Sequence, residues 1–153
     1  MSEPIRVLTV DDHAFLVEGL QARLAIESDL EFVGRCPSAD TLVETVRRTD
    51  ANIVLLDIEM PGADPFAMIE ILNRQKKPPR AIMLSAFIRD HYIDTASQHG
   101  AWGYLSKSDP PEAIVEGIRQ VLRGKIALSA ATERRTPGRS APDQSVRSRL
   151  DTV

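Results

Sequence analysis

The 153-residue sequence predicts an α/β fold, a doubly wound five-stranded parallel sheet with five helices in a three-layer sandwich. Three observations lead there. Short apolar runs alternate with amphipathic stretches up to about residue 128. One of these runs, Ile53-Val54-Leu55-Leu56, is unbroken, as expected of a strand covered on both faces. The runs also deliver polar groups at their carboxyl ends: Asp11 and Asp12 after the first, Asp57 after the third, Ser85 after the fourth and Lys107 after the fifth. Open parallel sheets bind ligands in the crevice beyond the carboxyl ends of their strands, so these residues belong to one edge.

The first strand is Ile5–Val10. A helix follows over Ala14–Ile26, with Leu16, Leu20 and Leu24 on one face at i, i+4 and i+8. Leu30–Cys36 forms the second strand, and Ser38 or Asp40 is placed to cap a helix carrying Leu42, Val43 and Val46. Asn52–Asp57 is the third strand. Met60-Pro61-Gly62 breaks the chain, and Asp64-Pro65 supplies an N-cap with proline at the first helical position. That helix runs through Met68, Ile69 and Leu72. Arg80–Ser85 is the fourth strand, followed by a helix near Arg89–His99 that stops at Gly100. Gly103–Ser106 is the fifth strand. Asp109-Pro110-Pro111-Glu112 has capping-box spacing, and the last helix carries Ile114, Ile118, Val121 and Leu122 before Gly124 ends it. Right-handed crossovers leave few topologies for such a series. There is no internal repeat and no Gly-rich phosphate loop.

Composition narrows the class. Hydrophobic content of 42% and charge of 27% are those of a globular domain, and a net charge of −3 argues against a surface that coats nucleic acid. The single Cys36 excludes an internal disulfide framework and fits a reducing compartment. The amino terminus has no secretory pattern, and no apolar run nears the roughly 20 residues that span a bilayer. A cytoplasmic protein without membrane association is expected. From Ser129 onward Ser, Thr, Pro, Gly and Arg dominate, with five arginines against three acids. The division expected is a folded domain over 1–128 and a linker or flexible tail over 129–153.

Three carboxylates at one sheet edge suit a hard divalent cation such as Mg2+, and would repel one another without a positive charge between them. Each polar residue then has a task if the chemistry is phosphoryl transfer to Asp57. Asp12 and Asp57 hold the cation, with Asp11 acting through water. Lys107 offers positive charge to the phosphoryl oxygens, and Ser85 a hydrogen bond. An aspartyl phosphate is an accepted covalent species for such a carboxylate.

The motifs Val10-Asp11-Asp12-His13, Leu55-Leu56-Asp57-Ile58-Glu59-Met60-Pro61-Gly62, Met83-Leu84-Ser85-Ala86 and Gly103-Tyr104-Leu105-Ser106-Lys107 follow one another in order. Together they resemble the receiver domain of two-component response regulators, over roughly Ile5–Leu128. The resemblance implies the flavodoxin-like, CheY-like strand order 2-1-3-4-5. It implies Asp57 as phosphoacceptor, Asp11 and Asp12 as the acidic pair, and the backbone carbonyl of Glu59 as a further Mg2+ ligand. It also implies Ser85 as switch hydroxyl, an exposed Tyr104 that moves inward when Ser85 moves, and Lys107 as the lysine of the pattern. A sensor histidine kinase is the implied phosphodonor. Receivers are phosphoacceptor switches with self-catalysed transfer and dephosphorylation rather than enzymes in the usual sense.

Two positions depart from the family pattern. Ser108 stands where many receivers have a proline on a cis bond; a cis bond before serine costs about 3 kcal/mol, which argues against one here. Pro65 stands where a second glycine is usual and stiffens the start of the third helix. Other residues have plainer readings. His13 is expected to be a surface residue at a helix start rather than a metal ligand; His91 and His99 have no partner at ligand spacing. Cys36 is a small buried apolar residue, and Trp102 packs at a domain edge or partner surface. The expected output face, fourth helix to fifth helix, would draw on Tyr92, Ile93, Trp102, Tyr104, Ile114 and Ile118.

The last helix and its exit look like those of LuxR/NarL-type regulators, which implies transcriptional output through a helix-turn-helix DNA-binding module beyond Val153, absent from this chain, and a homodimer. Ser148–Val153 resembles the linker before that module. The alternatives are a stand-alone receiver acting by protein contact and, from another class, a Mg2+-dependent phosphohydrolase with an aspartyl nucleophile. Glu59 sits two residues after Asp57 as such a hydrolase requires, but its nucleophile would end the first strand, not the third.

Overall fold

The computed structural model describes residues 3–60, 64–86 and 90–129, except for the side chains of Phe15 and residues 90–92. Pro61, Gly62, Arg89, the side chains of His91 and Tyr92, and the segment 130–153 therefore lie outside the described residues.

The elements run β1 (Ile5–Val10), α1 (Ala14–Ile26), β2 (Leu30–Cys36), α2 (Leu42–Thr49), β3 (Ile53–Asp57), α3 (Pro65–Asn73), β4 (Arg80–Ser85), α4 (Asp90–Gln98), β5 (Gly103–Ser106), α5 (Pro111–Leu122) and β6 (Ala127–Leu128). All strand pairs are parallel, in the order β2-β1-β3-β4-β5-β6. The expected order 2-1-3-4-5 is present, with one strand added at its end.

Side-chain alternation along the strands builds two cores. On β3, Val54 and Leu56 face one cluster with Leu42 and Val46 of α2, Met68, Ile69 and Leu72 of α3, and Ile93 and Ala96 of α4. Ile53 and Leu55 face the other, with Leu20 and Leu24 of α1 and Ile114, Val115, Ile118 and Val121 of α5. Every residue of β3 is buried, as its unbroken apolar run implies.

Local signals were kept in some places and redirected in others. Asp64 caps α3, its Oδ1 accepting from Phe66 N at 3.0 Å and Ala67 N at 3.3 Å, with Pro65 in the first turn. Gly100 and Gly124 adopt φ of +95° and +85° where α4 and α5 end. Ser38 and Asp40 do not cap α2: a 3-10 turn over Ala39–Thr41 precedes it, and neither its start nor that of α2 has a side-chain cap. Asp109 does not cap α5 either. Pro110 is the N-cap, and the Asp109 carboxylate instead accepts from Ser106 N at 3.0 Å and from the Ser129 hydroxyl at 2.9 Å.

That last pair bears on where the fold stops. Ala127 and Leu128 pair with Gly103 and Tyr104, and Ser129, 2% exposed, donates its N–H to Tyr104 O at 3.0 Å. A Cβ on Gly103 would lie 3.0 Å from the Ala127 carbonyl oxygen, so glycine is what lets β6 approach. The described fold thus runs through Ser129, one residue into the segment expected to be linker.

Candidate functional site

β1 and β3 are neighbours while β2 lies on the far side of β1, so chain direction across the sheet reverses at this pair. The crevice opens there. Asp57 closes β3 and is 1% exposed; Asp11 follows β1 at 2%. Asp12, next in the chain, is more open, with a side chain 40% exposed. Lys107 leaves β5 and reaches back under a largely buried side chain, placing Nζ 2.8 Å from Asp57 Oδ1 and 3.6 Å from Asp11 Oδ2. Its N–H donates to Ser85 O at 2.9 Å, which locks the ends of β4 and β5 together, and the Lys107–Ser108 bond is trans.

The Glu59 N–H donates to Asp57 Oδ1 at 2.9 Å. Asp57 Oδ2 and Asp11 Oδ2 are both buried and make no hydrogen bond. Two orphaned carboxylate oxygens in one pocket need a compensating charge beyond one lysine. Burial pushes the Asp11 carboxyl above its ordinary pKa; the N–H of His13 opposes this, the charge of Asp57 adds to it, and Lys107 and the His13 side chain oppose it. The donor set and these orphaned atoms fit a small divalent cation.

Ser85 is fully buried at the end of β4, and its hydroxyl is already engaged. It donates to Glu59 Oε2 at 2.6 Å, while Ala86 N donates to Glu59 Oε1 at 2.8 Å. Lys107 Nζ stands 4.0 Å from the same Oε1. The Glu59 carboxylate thus gathers Ala86 N together with Ser85 and Lys107, the two donors expected from the sequence to meet phosphoryl oxygens. The receiver resemblance involved Glu59 only through its carbonyl, and its side chain entered only as the second acid of the phosphohydrolase alternative, two residues after Asp57.

Two further expectations are corrected. Tyr104 is not exposed: at 1% it lies in the cluster with Ile93, Ala96 and Met83, against Leu128. The added strand β6 covers its backbone, so no inward travel remains. Of the residues named for the face between the fourth and fifth helices, Ile93, Ile114 and Ile118 are core. Trp102 is half-buried beneath the Arg80 guanidinium, 4.0 Å from the ring centroid.

His13 is the other surprise. Its side chain is 57% exposed, yet Nδ1 turns inward to 3.0 Å from Asp11 Oδ1, 3.5 Å from Asp12 Oδ1, 3.6 Å from Asp57 Oδ2 and 3.0 Å from Lys107 Nζ. Ligand atoms of Asp11, Asp12, His13 and Asp57 all lie within 4.8 Å of one another. His99, by contrast, pairs with Glu70 at 2.5 Å and stacks on Phe66. Cys36 is buried as expected.

A family profile for the response regulator receiver domain matches residues 7–119. The chain belongs to that family. It is 29% identical over 129 residues to the nitrate/nitrite response regulator protein NarL of Escherichia coli, and 34% identical over 126 residues to the transcriptional regulatory protein MctR of Rhizobium johnstonii. These alignments cover 84% and 82% of this chain but 60% and 59% of the relatives, so the receiver spans about three fifths of the relatives' length. Among solved structures, the signal receiver domain assigned to NarL of Mycobacterium tuberculosis superposes with a TM-score of 0.75 at 27% identity, covering 81% of this chain and all of that one. A LuxR-family response regulator from Aurantimonas gives 0.79 at 23%, covering 86% and 94%, and supports the fold. The receiver is thus of the NarL/LuxR type. Among the described residues no helix is long and apolar enough to cross a membrane.

Proposed function

We propose that this receiver is a phosphoacceptor switch in which Asp57 takes a phosphoryl group from a sensor histidine kinase. The observation that carries the reading is the buried Asp57 carboxylate, with one oxygen 2.8 Å from Lys107 Nζ and the other without a hydrogen bond. A free carboxylate oxygen facing a crevice is the one available to attack phosphorus. The new bond joins that oxygen to phosphorus; the bond from phosphorus to the donor breaks, and the donor keeps its electron pair and takes a proton.

Mg2+ fits among Asp11, Asp12, Asp57 and the Glu59 carbonyl. When bound, it supplies the charge that lets an anionic phosphoryl group approach an anionic nucleophile. Lys107 keeps its ammonium on Asp57 and is positioned for the incoming oxygens. Ser85 and Ala86 N must exchange the Glu59 carboxylate for those oxygens, so Glu59 competes with the phosphoryl group for its own cradle. Autocatalytic dephosphorylation belongs to the same reading.

Response regulators of this kind work with histidine kinases and bind DNA through a C-terminal module. The names of the relatives, transcriptional regulators among them, support transcriptional output through such a module, with a homodimer as the working form, the described receiver domain joined to it by the segment after Ser129, and a cytoplasmic location. The test is incubation with Mg2+ and acetyl phosphate, followed by intact mass. One phosphoryl adduct is expected, lost in Asp57→Asn and without added Mg2+. An adduct that persists in Asp57→Asn would overturn the assignment.

A further inference from the structure

We propose that His13 is a nitrogen ligand of the cation pocket, which gives this receiver a preference for imidazole-binding first-row divalent ions such as Co2+ over Mg2+. The inference rests on the reading of the pocket as a cation site and asks what that site selects.

Spacing is the first argument. Around an octahedral ion with donors at about 2.1 Å, neighbouring donors lie about 3.0 Å apart and opposite ones about 4.2 Å. His13 Nδ1 lies 3.0, 3.5 and 3.6 Å from oxygens of Asp11, Asp12 and Asp57, within that range. The lone pair is the second. Nδ1 is also 3.0 Å from Lys107 Nζ. An ammonium has donors and no acceptor, so the tautomer that accepts from Lys107 carries its ring proton on Nε2 and turns the Nδ1 lone pair inward, the form that ligates metals; the other tautomer donates to Asp11 Oδ1 instead.

Nδ1 and Asp11 Oδ1, 3.0 Å apart, are spaced as neighbouring ligands of one cation, and a cation bound there would select the tautomer with the ring proton on Nε2. The orphaned, buried Oδ2 atoms of Asp11 and Asp57 point to the same conclusion independently. Local backbone geometry aims the ring: His13 is the N-cap residue of α1 in extended conformation, without a side-chain cap, and its N–H donates to Asp11 Oδ1 at 2.7 Å. The imidazole is thereby free of capping and held over the carboxylates.

Donor type sets the consequence. Carboxylate, carbonyl and water suit Mg2+ and Mn2+; an imidazole adds little for those ions and more for Co2+ and later first-row ions. Losing even an outer-sphere partner of a metal ligand costs about tenfold in affinity, so losing a direct ligand costs at least that.

The experiment titrates the full chain with Mg2+ and with Co2+ by calorimetry, and records pulsed EPR of its Mn2+ complex, for the native protein, His13→Ala and Asp57→Asn. Expected are Co2+ binding at least about tenfold tighter than Mg2+, and a nitrogen coupling from a directly bound imidazole. His13→Ala should lose that coupling and lose more Co2+ affinity than Mg2+ affinity, so that the Co2+ advantage shrinks, while keeping its circular dichroism spectrum. A native Mn2+ complex without nitrogen coupling, or a Co2+ to Mg2+ ratio equal in native protein and His13→Ala, overturns the proposal while leaving the cation pocket intact. Coupling that survives His13→Ala overturns it too. Binding of neither ion, or binding indifferent to Asp57→Asn, overturns the reading of the pocket itself.

Discussion

Glu59 shows how one side chain can set the threshold of a site. Its carboxylate holds the Ser85 hydroxyl and Ala86 N, the two donors that the proposed phosphoryl transfer would draw on. Removing it as Glu59→Ala should raise the affinity of the Mg2+-loaded chain for a phosphoryl mimic such as beryllofluoride about tenfold, the equivalent of one charge-assisted hydrogen bond of about 1.5 kcal/mol. Titration followed by calorimetry checks this, and an unchanged affinity would show that Glu59 does not compete. At Asp11 the sign runs the other way from an ordinary paired acid. Burial raises its folded pKa, so the ionised form is disfavoured by folding, and stability falls as pH rises through that raised value. Asp11→Asn should therefore raise the melting temperature of the metal-free protein at neutral pH and remove the further rise that Mg2+ gives. The acids, Ser85 and Lys107 were legible because each closes an apolar run, and topology alone brings strand ends together. The inward turn of His13 and the grip of Glu59 on β4 were not, because side-chain direction at a loop is decided by neighbours far apart in sequence.

Elements were legible wherever a period or a punctuating residue marked them: the unbroken β3, the Asp64-Pro65 start of α3, the glycines after α4 and α5. β6 escaped because two residues carry no alternation, and its place depends on Gly103 leaving room beside Ala127. Gly103→Ala should push β6 from β5 and lower the melting temperature while leaving phosphorylation of Asp57 intact. Tyr104 was misjudged for a related reason, since exposure on a short edge-like strand depends on whether another strand covers it. With its side chain fully buried, Tyr104→Ala should cost about 3 to 5 kcal/mol in denaturant unfolding. α5 is tied to the turn after α1 through Arg119, which bonds Glu27 and both oxygens of Asp29, while Arg23 holds Glu27 from within α1. Hydrogen bonds from Arg23 and then Arg119 lower the Glu27 pKa, and one from Arg119 lowers that of Asp29. Depressed carboxylates stabilise the fold above their unfolded pKa values and lose that contribution as pH falls through the folded ones. The difference in melting temperature between native protein and Arg119→Ala should be present at pH 7 and close in acid; a difference that persists there would assign the effect to packing.

At the scale of the molecule, two cores share one sheet, and everything chemical sits on a single rim of it. On the proposed function, a change at Asp57 would be conveyed by the residues that bridge strand ends. Asp109 is one such bridge: one oxygen takes Ser106 N, the other the hydroxyl of Ser129, two residues from Lys107 along the chain. Its consequence is mechanical. Ser129 is moored to the loop that carries the active lysine, so the last described residue of the fold shares one knot with the charge balance of the crevice, and a pull on Ser129 would load Asp109, two residues from Lys107, directly.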